Sequence, residues 1–423
     1  MKLLIENFYN IKHAELDFKK FNILIGPQAA GKSLIAKMLY FMEEIINTYE
    51  MQSLSLEEIK PHNELNNNFF QLFYSIFEKR SLNNKFNITL SAENRSTWEF
   101  NSKGLIPSKY LFSNDPKAER TVRNSKKINT DLKNMYQSYI EIKERLDKIE
   151  DTSNEFYSTS LNFKNSFENF LNALNTSLDS AHLFIPASRS LVNIISDNSF
   201  WMRESNIDAL LVRFGQTYSR QLKRDTADKP LTCKNLNSIT NGQIERQDSG
   251  YVINENGRLV SLANASSGQQ ATLPILVGLN KVSEASVQHT YIEEPEAHIF
   301  PDAQNLLTRY IAEIHNQTRT NITLTTHSPY LLTTVNTLIY ANTVASQSEE
   351  KAAKVMEIIP ESEWLKAEDV AAYMVNEDGT VRSIMDEETG LIDADSIDDV
   401  SDVIGSEFNK ILDIEFEEEA ANA

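Results

Sequence analysis

The chain of 423 residues is 41% hydrophobic and 24% charged with ordinary counts of 12 Gly and 11 Pro, which supports a packed core and excludes fibrous, linker-like and wholly disordered classes. A formal net charge of −19 disfavours indiscriminate nucleic-acid binding over the whole surface, although a local basic groove is compatible with it. Cys233 is the only cysteine, so an intrachain disulfide and a cysteine-based zinc site are excluded, and no apolar run nears the ~20 residues of a membrane span; a cytoplasmic location with no membrane contact is expected.

In chain order, Lys2–Phe8 and Phe21–Ile25 read as strands, the second running into a glycine-containing turn and a helix from Lys32. Residues 34–49 and 64–79 carry helical spacing, and Phe86–Leu90 with Ser96–Phe100 alternate as a small hairpin. Between 116 and 181, Leu132, Met135, Tyr139, Ile142, Leu146 and Ile149 step by three and four, Asp151–Asn154 breaks the run, and Phe163, Phe167, Phe170, Leu174 and Leu178 resume it. This predicts a helical hairpin, a short coiled coil that is either a core-packed pair or an arm for dimerisation or docking. His182–Pro186 is a short strand ending at Pro186-Ala187-Ser188-Arg189, and residues 195–245 are mixed in charge and suggest no element.

Tyr251–Ser261 reads as a hairpin around Asn256-Gly257, followed by a helix from about residue 269 and buried-type strands Val287–Ile292 and Thr320–Thr325 with a helical segment between them. From Asp386 onward stand fourteen acidic residues and one basic residue, while Ile397, Val400, Ile404, Phe408 and Ile411 form a helical stripe, so Ser396–Leu412 is expected to be an amphipathic acidic helix. The expected division is 1–115 and 182–345 for two parts of one α/β core, 116–181 for the helical insertion and 346–423 for an acidic C-terminal region.

Gly26-Pro27-Gln28-Ala29-Ala30-Gly31-Lys32-Ser33 fits G-x-x-x-x-G-K-[ST] in full, after a strand and opening a helix. Such a loop curls backbone N–H groups around a phosphate, with Lys32 reaching the β- and γ-phosphates and Ser33 taking Mg²⁺. Far along the chain, Thr290–Pro295 is an apolar strand ending in two carboxylates, Glu293 and Glu294, followed by Glu296, His298 and Pro301. One such carboxylate can hold Mg²⁺ through water and its neighbour can orient or deprotonate the attacking water.

Glu-Glu-Pro-Glu-x-His-x-x-Pro over 293–301 resembles the extended Walker B of ABC-type ATPases of the RecF, SMC and OLD (overcoming-lysogenisation-defect) class. Ala265-Ser266-Ser267-Gly268-Gln269 is similar to the ABC signature, Thr325-Thr326-His327-Ser328 to the switch-histidine loop, and Ile5-Glu6-Asn7-Phe8 to the opening of that group. The resemblance implies an ABC-type P-loop fold, a mixed, mainly parallel sheet flanked by helices, that binds and hydrolyses ATP with Mg²⁺. It implies Glu293 as the metal-side carboxylate, Glu294 as general base and His327 as the γ-phosphate contact. It also implies Ser266, Gly268 and Gln269 acting on nucleotide held by another subunit of a homo-oligomer, although a plain helix cap would use the same residues. Arg189 matches a recurring arginine of the OLD-like group, while a surface arginine after a strand is the commoner case.

The chain lacks the strand-plus-Glu unit of a TOPRIM nuclease, and Asp393-Ala-Asp395 falls inside an acidic run, so no intrinsic nuclease is expected. The resemblance is then to stand-alone OLD-like ATPases of the Septu, PARIS and retron-associated kinds, which implies control of a separately encoded effector, typically a nuclease, in bacterial anti-phage defence. A RecF-like DNA-repair ATPase is the alternative, with Lys109, Lys117, Arg120, Arg123, Lys126 and Lys127 as a phosphate-contacting patch and nucleic acid as partner. A transporter subunit fits least, because its Walker B ends in Asp-Glu and its core has no hairpin.

Overall fold

Three sheets organise the computed structural model, which describes residues 1–53, 72–77, 85–91, 97–107, 182–195, 208–224, 236–247, 250–284 and 287–393. The expected hairpin over 116–181, the Ser396–Leu412 helix and the basic residues from Lys109 to Lys127 lie outside the described residues.

The central sheet has six strands in the order β14 (Val381–Ser383), β13 (Val370–Val375), β3 (Phe21–Ile25), β12 (Asn321–Thr326), β11 (His289–Glu293) and β7 (His182–Ile185). The five from β13 to β7 run parallel and β14 is antiparallel. Every residue of β3, β11 and β13 is buried, as expected for strands covered on both faces. One face packs on α3 (Ser267–Glu284), α4 (Pro301–Thr318) and α5 (Pro329–Ala345) through Leu273, Leu276, Ile311, Leu332 and Val335. The other face receives α1 (Lys32–Ser53). That helix is buried on nearly every side, with Ile35, Met38, Leu39, Phe41, Met42 and Ile45 at or near zero exposure. A helix this apolar needs cover on two faces. The second cover is an antiparallel sheet of β1 (Lys2–Phe8), β2 (Ile11–Asp17), β4 (Asn87–Ser91), β5 (Thr97–Asn101) and β6 (Gly104–Pro107), whose Ile5, Phe8, Ile88 and Phe100 join the α1 cluster.

Three expectations are corrected here. Residues 1–25 hold three strands, because Ile11–Asp17 pairs with β1 as β2. The expected hairpin near 86–100 is present as β4 and β5, and it forms part of the five-stranded sheet through the pairing of β4 with β1. Residues 195–245 include α2 (Ala209–Arg224), which buries Leu210, Leu211, Phe214 and Tyr218, and a strand, β8 (Gln243–Gln247), beside the expected hairpin of β9 (Gly250–Glu255) and β10 (Arg258–Ser261). The core also continues past the expected boundary at 345. β13 lies against β3 with Val370 opposite Phe21, and Gly26 meets the Val375 carbonyl so closely that a Cβ there would stand 2.1 Å from it.

At the N-terminal ends of β7 and β11, away from the phosphate loop, α1 inserts two adjacent carboxylates into a polar cluster. Glu44 pairs with His182 (2.8 Å) and Arg213 (3.0 Å), while Glu43 meets His289 (3.1 Å) and the Tyr291 hydroxyl. Burial would raise the Glu43 carboxyl, but His289, His182 and Tyr291 together hold it at about 2. Burial opposes charge on His182 too, and Glu44 and Glu43 outweigh it, so that its pKa is raised.

Candidate nucleotide site

The loop between β3 and α1 alternates backbone conformations, with positive φ at Gly26 (152°), Ala29 (61°) and Gly31 (114°). Such alternation turns successive N–H groups inward and builds a concave anion nest at the start of a helix. Asn10 braces it from the turn between β1 and β2, its Nδ2 donating to the Ala30 carbonyl at 2.9 Å. The remaining loop residues, Pro27, Gln28 and Ala30, contribute backbone; Ala30 is buried, and Pro27 and Gln28 are exposed. Lys32 folds back across the loop, donating to the Gly26 and Pro27 carbonyls at 2.8 and 2.7 Å, with the His327 Nδ1 3.4 Å away. Burial pulls the Lys32 ammonium down to about 8, against the opposing influence of Glu294 and Glu296.

The ends of β11 and β12 bring the other side chains to this loop. Glu293 is buried, and one carboxylate oxygen accepts from the Ala187 amide at 3.0 Å. Burial raises its pKa, against the influence of Lys37, Ala187 and the Ser33 side chain. Its Oε1 is buried with no hydrogen-bond partner among the described residues. An orphaned carboxylate oxygen beside a hydroxyl is what a hydrated Mg²⁺ would satisfy, so Ser33 and Glu293 fit the metal as its holders. Lys37, one turn beyond Ser33, pairs with Asp208 at 2.5 Å beside them.

Glu294 turns out of the strand with φ of 44°, its amide donating to the Thr325 carbonyl at 2.8 Å. Its carboxylate stands 3.6 Å from the His327 Nε2, and both side chains are about one-third exposed, at 37% and 34%. The His327 amide donates to Glu296 Oε1 at 2.7 Å, so Glu296 fixes the histidine loop from below. Lys32, Glu294 and His327 therefore meet at one mouth.

The signature residues lie at the start of α3. Ser266 and Gln269 form a reciprocal capping box: the Ser266 amide donates to Gln269 Oε1 (2.9 Å) and the Gln269 amide to Ser266 Oγ (3.3 Å). Gln269 is buried, and its Nε2 donates to the Thr240 carbonyl and to Glu255, both at 3.0 Å. Its side chain is thus engaged inside its own chain, while Ser266 is exposed. Gly268 packs against the loop after Glu294, where a Cβ would stand 2.7 Å from the His298 carbonyl.

Sequence reasoning missed two contributors, Asn10 and Asp208, and left a third, Arg189, between a family match and a surface residue; Arg189 is fully buried behind Glu293 and Glu294. Asn10 has no motif of its own, and Asp208 sits in the stretch that suggested no element. Glu296 was visible as part of the 293–301 motif but without a task.

A match to the AAA ATPase domain family spans residues 1–332. The chain belongs to the AAA ATPase domain family. Its architecture is that of a P-loop ATPase domain, with the mixed central sheet flanked by helices. No curated protein matches the chain. Among solved structures, an SMC head bound to the C-terminal winged-helix domain of ScpA is similar at 10% identity and a TM-score of 0.39, covering 92% of this chain and 98% of that one. The SMC head domain from Thermotoga maritima is similar at 11% identity and a TM-score of 0.33, with coverages of 79% and 90%. The recombination mediator RecF with a bound ATP analogue is similar at 12% identity and a TM-score of 0.36, with coverages of 90% and 97%. No described helix is long and apolar enough to cross a membrane.

Proposed function

We propose that this ATPase domain hydrolyses ATP with Mg²⁺, Glu294 acting as general base and His327 stabilising the charge that develops on the γ-phosphate. One observation carries the reading: Lys32, Glu294 and His327 converge at the mouth of the phosphate loop, His327 lying 3.4 Å from Lys32 and 3.6 Å from Glu294. The Gly26–Gly31 backbone would cradle the phosphates, Lys32 would leave its loop carbonyls to meet them, and Ser33 with Glu293 would hold the metal. When bound, Mg²⁺ neutralises charge on the phosphate oxygens. Glu294 then takes a proton from the attacking water, which its partial exposure allows.

The active form is proposed to be a homo-oligomer in which the start of α3 meets nucleotide held by another subunit. Ser266 and the first-turn amides of α3 are what that surface offers, since Gln269 is engaged within its own chain. In the finer reading, the oligomer controls a separately encoded effector, a nuclease, in anti-phage defence. Support comes from the motif resemblance and from the acidic run after Asp386, whose charge suits a basic partner.

Mixing subunits tests the shared site. Lys32→Ala and Ser266→Arg proteins, each inactive alone, should regain part of the activity when combined, because a mixed dimer holds one complete interface. Folded, oligomeric mutants that never complement would refute action in trans. Co-purification of the protein encoded beside this chain, lost on deleting residues 394–423, tests effector control; retention after deletion would count against the acidic run.

A further inference from the structure

Arg189 is a large side chain with no solvent exposure, and its fork reaches several segments at once. Nε donates to the Ala271 carbonyl in α3 at 2.7 Å. Nη1 donates to the Glu293 carbonyl at 2.6 Å and the Pro186 carbonyl at 3.3 Å, and Nη2 to the Glu294 carbonyl at 2.8 Å. Burying a cation is unfavourable unless its donors are met. Here the acceptors are backbone carbonyls, so the fork fixes main-chain positions in α3, at the end of β7 and at the end of β11 relative to one another. Burial lowers the guanidinium to about 10, opposed by Glu296, Glu294 and Glu293, and it remains charged at neutral pH.

One of those segments is strained. Glu294 adopts φ of 44°, which a residue with a Cβ holds only when its surroundings impose it. The amide side is held by the Thr325 carbonyl and the carbonyl side by Arg189 Nη2. Backbone dihedrals set the direction of the Cα–Cβ bond, so both grips decide where the Glu294 carboxylate points.

We propose that Arg189 is a positioning residue for hydrolysis: it locks the left-handed turn that aims Glu294 and ties that turn to the signature helix α3. The assignment rests on Glu294 being the general base. Lysine at 189 keeps the charge but presents one nitrogen in place of a fork, so it cannot hold Ala271, Glu293 and Glu294 together. Arg189→Lys should lower kcat on the order of ten- to a hundredfold, the usual effect of a base displaced by a fraction of an ångström to an ångström. ATP affinity should stay within about twofold, because the phosphate loop is untouched.

A double-mutant cycle separates aiming from general damage. If Arg189 acts through the Glu294 carboxylate, Arg189→Lys should cost nothing further in a Glu294→Gln background. Multiplicative losses in the double variant, an unchanged kcat in Arg189→Lys, or an ATP affinity that falls as far as kcat would each overturn the proposal. Should Glu294→Gln itself hydrolyse ATP at the parental rate, the base assignment fails instead, whatever Arg189→Lys does. If Arg189→Lys does not fold, nuclear magnetic resonance on the unaltered chain decides: the Arg189 Nε–H should exchange slowly, and exchange as fast as an exposed arginine would overturn the proposal.

Discussion

Replacing Gly26 by alanine tests whether β13 is a wall of the nucleotide site. The added Cβ would stand 2.1 Å from the Val375 carbonyl oxygen and 3.1 Å from its carbon, where ordinary contact begins at 3.4 Å. A carbonyl within a sheet cannot rotate aside, so the loop or β13 must move by roughly an ångström, an overpacking cost of about 3 kcal/mol. The positive φ adds strain on the order of 1 kcal/mol. If the loop moves, a cost of ~3–4 kcal/mol appears as ATP binding weakened at least a hundredfold. If the sheet gives way, it appears as a Tm lowered by roughly 3–4 °C, at about 1 °C per kcal/mol for a chain this large. Calorimetric ATP titration and thermal unfolding, run together, read both. Gly257→Ala is the control: its φ is 94° but nothing lies within 4 Å of the new Cβ, so it should show the small strain term and parental ATP binding. A Gly26→Ala protein with parental Tm and parental affinity would refute the packing of β13 on the loop.

The Glu43 cluster makes stability depend on acid. A folded-state pKa of about 2 against an ordinary 4.5 supplies stability that is present above pH 4.5 and lost as the pH falls through 2, roughly 3 kcal/mol in all. Urea unfolding between pH 5 and 2.5 should be steeper in pH for the parent than for Glu43→Gln, and identical slopes would exclude the pair. Gln269→Ala should destabilise the chain by about 2–3 kcal/mol even as a monomer, because Thr240, Glu255 and the Ser266 amide lose a buried partner. Ser266→Ala should cost only about 1 kcal/mol, the usual price of one cap, and chemical denaturation distinguishes the two.

What could be read from the sequence was what local rules dictate. The phosphate loop needs a strand before it and a helix after it, and β3 and α1 have the expected start. Asn256-Gly257 demands a tight hairpin, and both residues have positive φ. The two carboxylates ending β11 and the histidine ending β12 were legible because a motif fixes them to strand ends. α2 was obscured because its buried face includes Gln221 and the half-covered Arg213 among its apolar positions. β13 was obscured by the acidic residues that follow it, although Val370–Val375 is an apolar run of ordinary strand length. Arg189 could not be placed in the interior, since three of its four acceptors, the Ala271, Glu293 and Glu294 carbonyls, lie 82 to 105 residues away, and no side-chain pattern announces a carbonyl.

Phosphate release by the purified chain with Mg²⁺ and ATP, compared between the parent and Glu294→Gln, tests the central claim most directly. The geometry predicts that Glu294→Gln binds ATP as the parent does and retains it unhydrolysed, while Lys32→Ala loses the binding itself. Parental hydrolysis by Glu294→Gln would contradict the account.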